Sequence, residues 1–62
     1  MQFEMPNDPV ILLGIINMKL RDFYPNMDIL CDDLELDFLE IDGILSNAGF
    51  SYDVPTNQYH KK

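Results

Sequence analysis

The residues most able to do chemistry are the acids Asp33, Glu35 and Asp37, which alternate like the opening ligands of a calcium loop. The rest of that loop is missing. Its sixth position would be Phe38 where a sharp turn needs glycine, and its twelfth would be Ile44 where a bidentate Glu belongs. No specific metal site is expected here. His60 is the single histidine and stands beside Lys61 and Lys62. A general base needs a nucleophile, an orienting partner and a pocket, so a lone histidine in that setting is expected to be solvated. Cys31 is the single cysteine and falls on the inner side of an amphipathic stretch among acids. Neighbouring carboxylates raise a thiol pKa and oppose nucleophilicity, so Cys31 is expected to pack. No glycine-rich phosphate loop, metalloprotease helix or serine elbow occurs. No catalytic, cofactor-binding or metal-binding residue is assigned, and the chain is not expected to be an enzyme.

Asn17 stands on the flank of an apolar stretch, in the run Asn17-Met18-Lys19-Leu20-Arg21-Asp22. It could bind a partner together with Lys19 and Arg21. Alternatively its amide satisfies backbone groups in a neighbouring turn, and that reading is preferred because buried polar groups generally find partners. The aromatics Phe23, Tyr24, Phe50, Tyr52 and Tyr59 are expected to pack in the core and hairpin. A base-stacking platform would also need a cationic groove.

The elements that must position these residues belong to a chain of 62 residues with 11 acids, 4 Lys and Arg, and a formal charge of −7. Hydrophobic residues make up 47%, enough for a core and too many for a disordered acidic tail. Surface scaling allows about 4,100 Å² of folded surface and one small core, worth about 3–5 kcal/mol net. With one cysteine there is no disulfide, and no Cys/His cluster for zinc, to staple it. Residues 1–62 are read as one domain. The start, Met1-Gln2-Phe3-Glu4, lacks the basic region of a targeting signal, and the longest apolar run, Val10–Leu13, is too short to span a membrane. With a free thiol as well, a cytoplasmic protein is expected.

Asp8 and Pro9 cap and open a first helix over about residues 9–23, with Leu13, Ile16, Leu20 and Phe23 on its apolar stripe, widened by Leu12 and Ile15. Pro25 ends it. Asn26 caps a short helix over 27–33 that turns Met27, Leu30, Cys31 and Leu34 inward. Asp37, with Glu40 three residues on, caps a third helix over 38–48, carrying Phe38, Ile41, Leu45 and Ala48, and Gly49 is the left-handed stop. The period then changes to two. Phe50 and Tyr52 alternate with polar residues, Val54-Pro55-Thr56-Asn57 is turn chemistry, and a hairpin over 50–60 follows. The expected core is Leu13, Ile16, Leu20, Phe23, Leu30, Leu34, Ile41, Leu45 and Phe50. The fold class is mainly α, a three-helix bundle with a short C-terminal β-hairpin.

Helix, short helix, tight turn, helix and hairpin, with Leu30-Cys31, Leu34, Leu36, Asp37, Ile41, Leu45 and Gly49 at its centre, resembles the helix-turn-helix class in its winged form. The turn glycine usual in that class is absent, and Glu35 stands in that neighbourhood. Over nearly its whole length the chain also resembles a family of very short bacterial proteins, domain-of-unknown-function family 4250. The resemblance is carried by Asn7-Asp8-Pro9-Val10, by Asn17 with Lys19-Leu20-Arg21-Asp22, by Leu30-Cys31-Asp32-Asp33-Leu34, by Gly49-Phe50-Ser51-Tyr52-Asp53 and by Asn57-Gln58-Tyr59. It implies no activity and no site residues.

A helix that reads DNA needs cations for phosphates and polar donors for base edges. The third helix carries no Lys or Arg, and Asp28, Asp32 and Asp33 precede it. The four cations are divided between Lys19 and Arg21 on one helix and Lys61-Lys62 elsewhere, so nucleic acid is not the expected partner. The same shape suits protein contacts. Phe38, Leu39 and Gly43 form an apolar strip bordered by acids, of which Asp42 is a candidate contact residue with them, and Asn17, Lys19 and Arg21 are the other candidate contact residues. The expected function is a non-enzymatic protein-interaction module, the alternative a divergent winged DNA-binding domain. The expected partner is another protein or a second copy of the chain, a homodimer formed through the hairpin edge or the exposed side of the third helix.

Overall fold

The computed structural model describes residues 6–62. Within them lie α1 (Pro9–Asp22), α2 (Met27–Leu34), α3 (Phe38–Asn47), β1 (Phe50–Asp53) and β2 (Gln58–Lys61). The protein is thus mainly α, with a two-stranded antiparallel hairpin at its C-terminal end. Each helix starts where local chemistry demands. The carboxylate of Asp8 accepts from Val10 N at 2.9 Å, the amide oxygen of Asn26 from Ile29 N at 2.8 Å, and the carboxylate of Asp37 from Leu39 N at 3.2 Å. Each satisfies a backbone donor that the first helical turn leaves orphaned. The last turn of α1 carries Lys19 and Arg21, the sign the helix dipole favours there. Gly49 follows α3 at φ +97°, a conformation that a Cβ would strain.

The turn between α2 and α3 solves the missing-glycine problem with strain. Glu35 itself adopts the left-handed conformation, φ 57° and ψ 46°. Its N–H bonds to Asp32 O at 3.4 Å, and Leu36 N–H reaches back to Cys31 O at 2.8 Å. That pair of bonds is a Schellman closure, which glycine usually makes. Replacing Glu35 with glycine should therefore stabilise the fold by about 0.5–1 kcal/mol, the relief of left-handed strain less the added freedom of the unfolded chain. The thermal midpoint should rise by a few degrees, and Glu35→Val should lower it. Equal midpoints for all three proteins would contradict the strain.

The core joins Leu12, Ile16 and Leu20 of α1, Met27, Leu30 and Cys31 of α2, Ile41 and Leu45 of α3, and Tyr59 of β2. The accessible surface is 4214 Å², close to that of a fully compacted chain of this mass. α1 packs against α2, α3 and β2, and α3 against β1. Four positions differ from the expected core. Phe23 is 68% exposed. At φ −127° it has left the helix, so the helical spacing that placed it inside no longer applies, and Tyr24 packs against the core instead. On α1 the fully buried row is Leu12–Ile16–Leu20, at spacings of four, and Leu13 lies at its edge. Leu34 and Phe50 are likewise partly buried and pack against the core from its rim.

The hairpin pairs Phe50 with Lys61, Ser51 with His60, Tyr52 with Tyr59 and Asp53 with Gln58, one residue longer than the sequence pattern implied. Its loop is a β-turn closed by Asn57 N–H to Val54 O at 3.1 Å, with Pro55 in the position that favours a fixed φ. Asn57 then takes a left-handed φ of 54°, which asparagine tolerates.

Candidate functional site

Polar chemistry concentrates where the hairpin meets α1. Asn17 lies on the flank of α1 beside β2. Its Oδ1 accepts from Tyr59 N–H at 2.7 Å, and its Nδ2 donates to Tyr59 O at 3.0 Å. One side-chain amide thus supplies both bonds that a neighbouring strand would have made, and it closes the outer edge of β2 at Tyr59. Gln58 Nε2 donates to Asn17 O at 2.9 Å and to Asn57 O at 2.9 Å. Asn57 Nδ2 donates to Leu20 O and Tyr24 O at 3.1 and 3.0 Å, satisfying carbonyls at the C-terminal end of α1, while its Oδ1 accepts from Tyr52 Oη at 2.5 Å. Tyr59 threads its ring into the core at 2% exposure and donates its hydroxyl to Asp42 Oδ1 at 2.9 Å. Burial first, and then the bond to Asp42, holds that hydroxyl far above the usual tyrosine range. The rings of Tyr52 and Tyr59 lie 5.4 Å apart at 50°, a tilted aromatic pair.

This cluster is a clamp. Among the described residues no buried side-chain nitrogen or oxygen lacks a partner, so nothing in it points unsatisfied toward a ligand. Asn17 takes the backbone-satisfying role, on a strand where a turn was expected. Asp42, expected as a contact residue, is occupied by Tyr59. Sequence reasoning missed the bonds of Asn57 and Gln58 to α1, and it left Tyr59, expected to pack in the core and hairpin, off the list of core residues. The available signal was a Pro-Thr-Asn loop ending in a residue suited to left-handed φ, since such an amide is aimed back at the neighbouring chain.

The other singled-out residues are not gathered into one place. Around α1, at about 100° per residue, Lys19 lies opposite the edge that carries Asn17. Lys19 lines a groove of about 260 Å³ with Phe23, Tyr24, Asp33 and Leu34. Tyr24 Oη donates across it to Asp33 at 2.5 Å, and this bond is the main reason that its hydroxyl titrates above the ordinary range. Arg21 is exposed and pairs with Asp22 through two bonds of 3.0 and 3.1 Å, which lowers the Asp22 carboxyl below its ordinary value. Lys62 Nζ donates to Ser46 Oγ at 2.8 Å, at the C-terminal end of α3. It marks the open end of the hairpin, whereas Asn57 ties the loop end to Leu20 and Tyr24, beside Lys19 and Arg21. The four cations are therefore divided between α1, which carries Lys19 and Arg21, and the open end of the hairpin, which carries Lys61 and Lys62.

Cys31 is buried, and burial, then Asp28 and Asp37, pushes its thiol up and away from reactivity. His60 Nε2 lies 2.8 Å from Thr56 Oγ1, which is 2.7 Å from Asp53 Oδ2. The hydroxyl stands between the two, so this exposed trio locks the turn and lacks the order of a catalytic triad, in which histidine is central. Among the described residues no three His, Cys, Asp or Glu side chains converge as metal ligands would.

What the fold leaves on display is charge. Asp28, Asp32, Asp33, Glu35, Asp37, Glu40 and Asp42 all lie on α2, α3 and their turn, with no Lys, Arg or His between Asp22 and His60. All except Asp42 are exposed. The remaining four acids of the chain are matched by its four bases. Within this acidic face Leu39 is 75% exposed. Phe38 turns partly into the core and lines a second groove of about 270 Å³ with Asn26, Met27, Asp28, Tyr52 and Val54. Leu39 and the half-exposed Gly43 are what remains outward of the expected apolar strip.

These features define a small mainly α domain whose C-terminal hairpin is clamped to its first helix. The chain belongs to the family described as Domain of unknown function (DUF4250), whose model matches residues 6–59. No curated protein and no solved structure matches it. No helix among the described residues is long and apolar enough to cross a membrane.

Proposed function

We propose that this protein is a non-enzymatic interaction module that offers its α2–α3 face to a basic protein partner. The observation that carries this reading is the concentration of seven acids, equal in number to the whole net charge, on α2, α3 and the turn between them, six of them exposed, with the exposed Leu39 among them. Distributed carboxylates steer a basic surface into register, and a large exposed apolar side chain supplies the contact that survives salt. The dispersal of the four cations argues against a polyanion, because phosphate binding needs them on one surface. A divergent winged DNA-binding domain keeps the order of elements, and Lys62 beside α3, in its favour. A reducing cytoplasm suits the free, buried Cys31.

The test uses isotope-labelled full chain titrated with a basic amphipathic peptide and, separately, with duplex DNA, followed by NMR. Amide shifts confined to α2 and α3 on adding peptide, lost in Leu39→Lys and weakened several-fold by salt, support the module. Peptide shifts that persist unchanged in Leu39→Lys, or saturable, salt-sensitive shifts on adding duplex alone, overturn it.

A further inference from the structure

The outer face of α1 is apolar and exposed among the described residues. Val10 is 64% exposed, Ile11 54% and Met18 39%, on a helix whose other side supplies a third of the core. Within α1, Ile11, Gly14, Met18 and Arg21 follow one another at spacings of three, four and three. That spacing is the seam of a helix pair. Gly14 stands mid-seam, where it weakens the helix relative to alanine. The monomer shows no need for it, because a Cβ at Gly14 meets nothing within 4 Å.

We infer that α1 pairs antiparallel with α1 of a second copy of this chain, crossing at Gly14. Three features select that occupant. The seam is self-complementary: centred between Gly14 and Ile15, an antiparallel partner sets Ile11 against Met18 of the second copy, and the reverse. The same antiparallel register opposes the two helix dipoles favourably, twice over by symmetry. The charge distribution then closes off other self-contacts. Any pairing through α2 or α3 opposes like-charged acidic faces, whereas the residues outside α2 and α3 carry no net charge. A 14-residue helix pair offers a seam of about 21 Å. The few apolar side chains on it fall short of the roughly 800 Å² per partner of a stable complex, so the dimer is weak and concentration-dependent. It leaves both acidic faces outward, and it stands independently of the module proposed above.

Sedimentation equilibrium of the full chain from micromolar to millimolar concentration reads the outcome. The expected mass climbs from 7.2 kDa toward twice that value. Ile11→Glu and Met18→Glu, at exposed positions, should hold it at the monomer value with helix content unchanged by circular dichroism. Leu39→Glu, on α3, should dimerise like the parent. A parent chain that stays monomeric at millimolar concentration, or dimerisation lost in Leu39→Glu and kept in Ile11→Glu, overturns the inference. Register is read by mixing Ile11→Cys with Met18→Cys chains and adding a short bis-maleimide. The buried Cys31 competes little, and mixed cross-links should exceed both like-with-like products several-fold. Equal yields overturn the antiparallel seam.

Discussion

Tyr59→Ala should leave the chain largely unfolded at 37 °C. The Tyr59 ring is almost fully enclosed, and it touches the core from the element farthest along the chain. Truncating a buried aromatic costs about 3–5 kcal/mol, which equals the whole stability expected of one core this small. Far-UV circular dichroism against urea reads the result directly, and a cooperative transition near that of the parent would refute it. Tyr59→Phe separates ring from hydroxyl. It removes only the bond to Asp42, which is half-exposed and regains water, so the loss should be about 1 kcal/mol. The hydroxyl also gives stability a pH dependence with a definite sign. Its pKa is raised in the folded state, so the folded protein keeps the proton after an unfolded tyrosine has lost it. That contribution is whole below pH about 10 and is lost as the pH rises from there toward the folded value. Alkaline unfolding should therefore be steeper in the parent than in Tyr59→Phe.

Asn17→Leu should cost on the order of 2–4 kcal/mol. The substitution keeps the size of the side chain and removes both of its bonds to the Tyr59 backbone. An apolar isostere leaves an N–H and a C=O facing it across a half-buried junction, and each unsatisfied group costs about 1–3 kcal/mol. Asn17→Ala opens room for water to bond the same groups, so its effect should be smaller. Hydrogen exchange localises the change: the Tyr59 amide should lose protection ahead of the amides of α2 and α3. If Asn17→Leu melts with the parent and the Tyr59 amide stays protected, the amide is not what holds the hairpin to α1.

Both predictions concern contacts between residues 17 to 42 positions apart, and this separation marks what could be read in advance. Asp8, Asn26, Asp37 and Gly49 were legible as helix boundaries because caps and left-handed stops act within two or three residues of themselves. Glu35 was legible as an anomaly, the place where a glycine was expected, although its backbone angle was not. Asn17 was legible as a polar residue that would turn to backbone groups, but the strand that receives it was not. The clamp residues Asn17, Tyr52, Asn57, Gln58 and Tyr59 are also among those that carry the resemblance to the family the chain belongs to.

The amino-acid order alone determined the three helices, the hairpin and the concentration of acids between residues 27 and 47, because each depends on neighbours a few residues away or on plain count. Only the tertiary structure decided which apolar residues are enclosed. Leu13 and Phe23 have the same hydrophobic claim as Leu12 and Tyr59, and the choice follows from where α1 ends and how β2 lies along it. It also decided that Lys62 meets Ser46 at the end of α3, since that contact depends on a hairpin register closed against the rest of the chain.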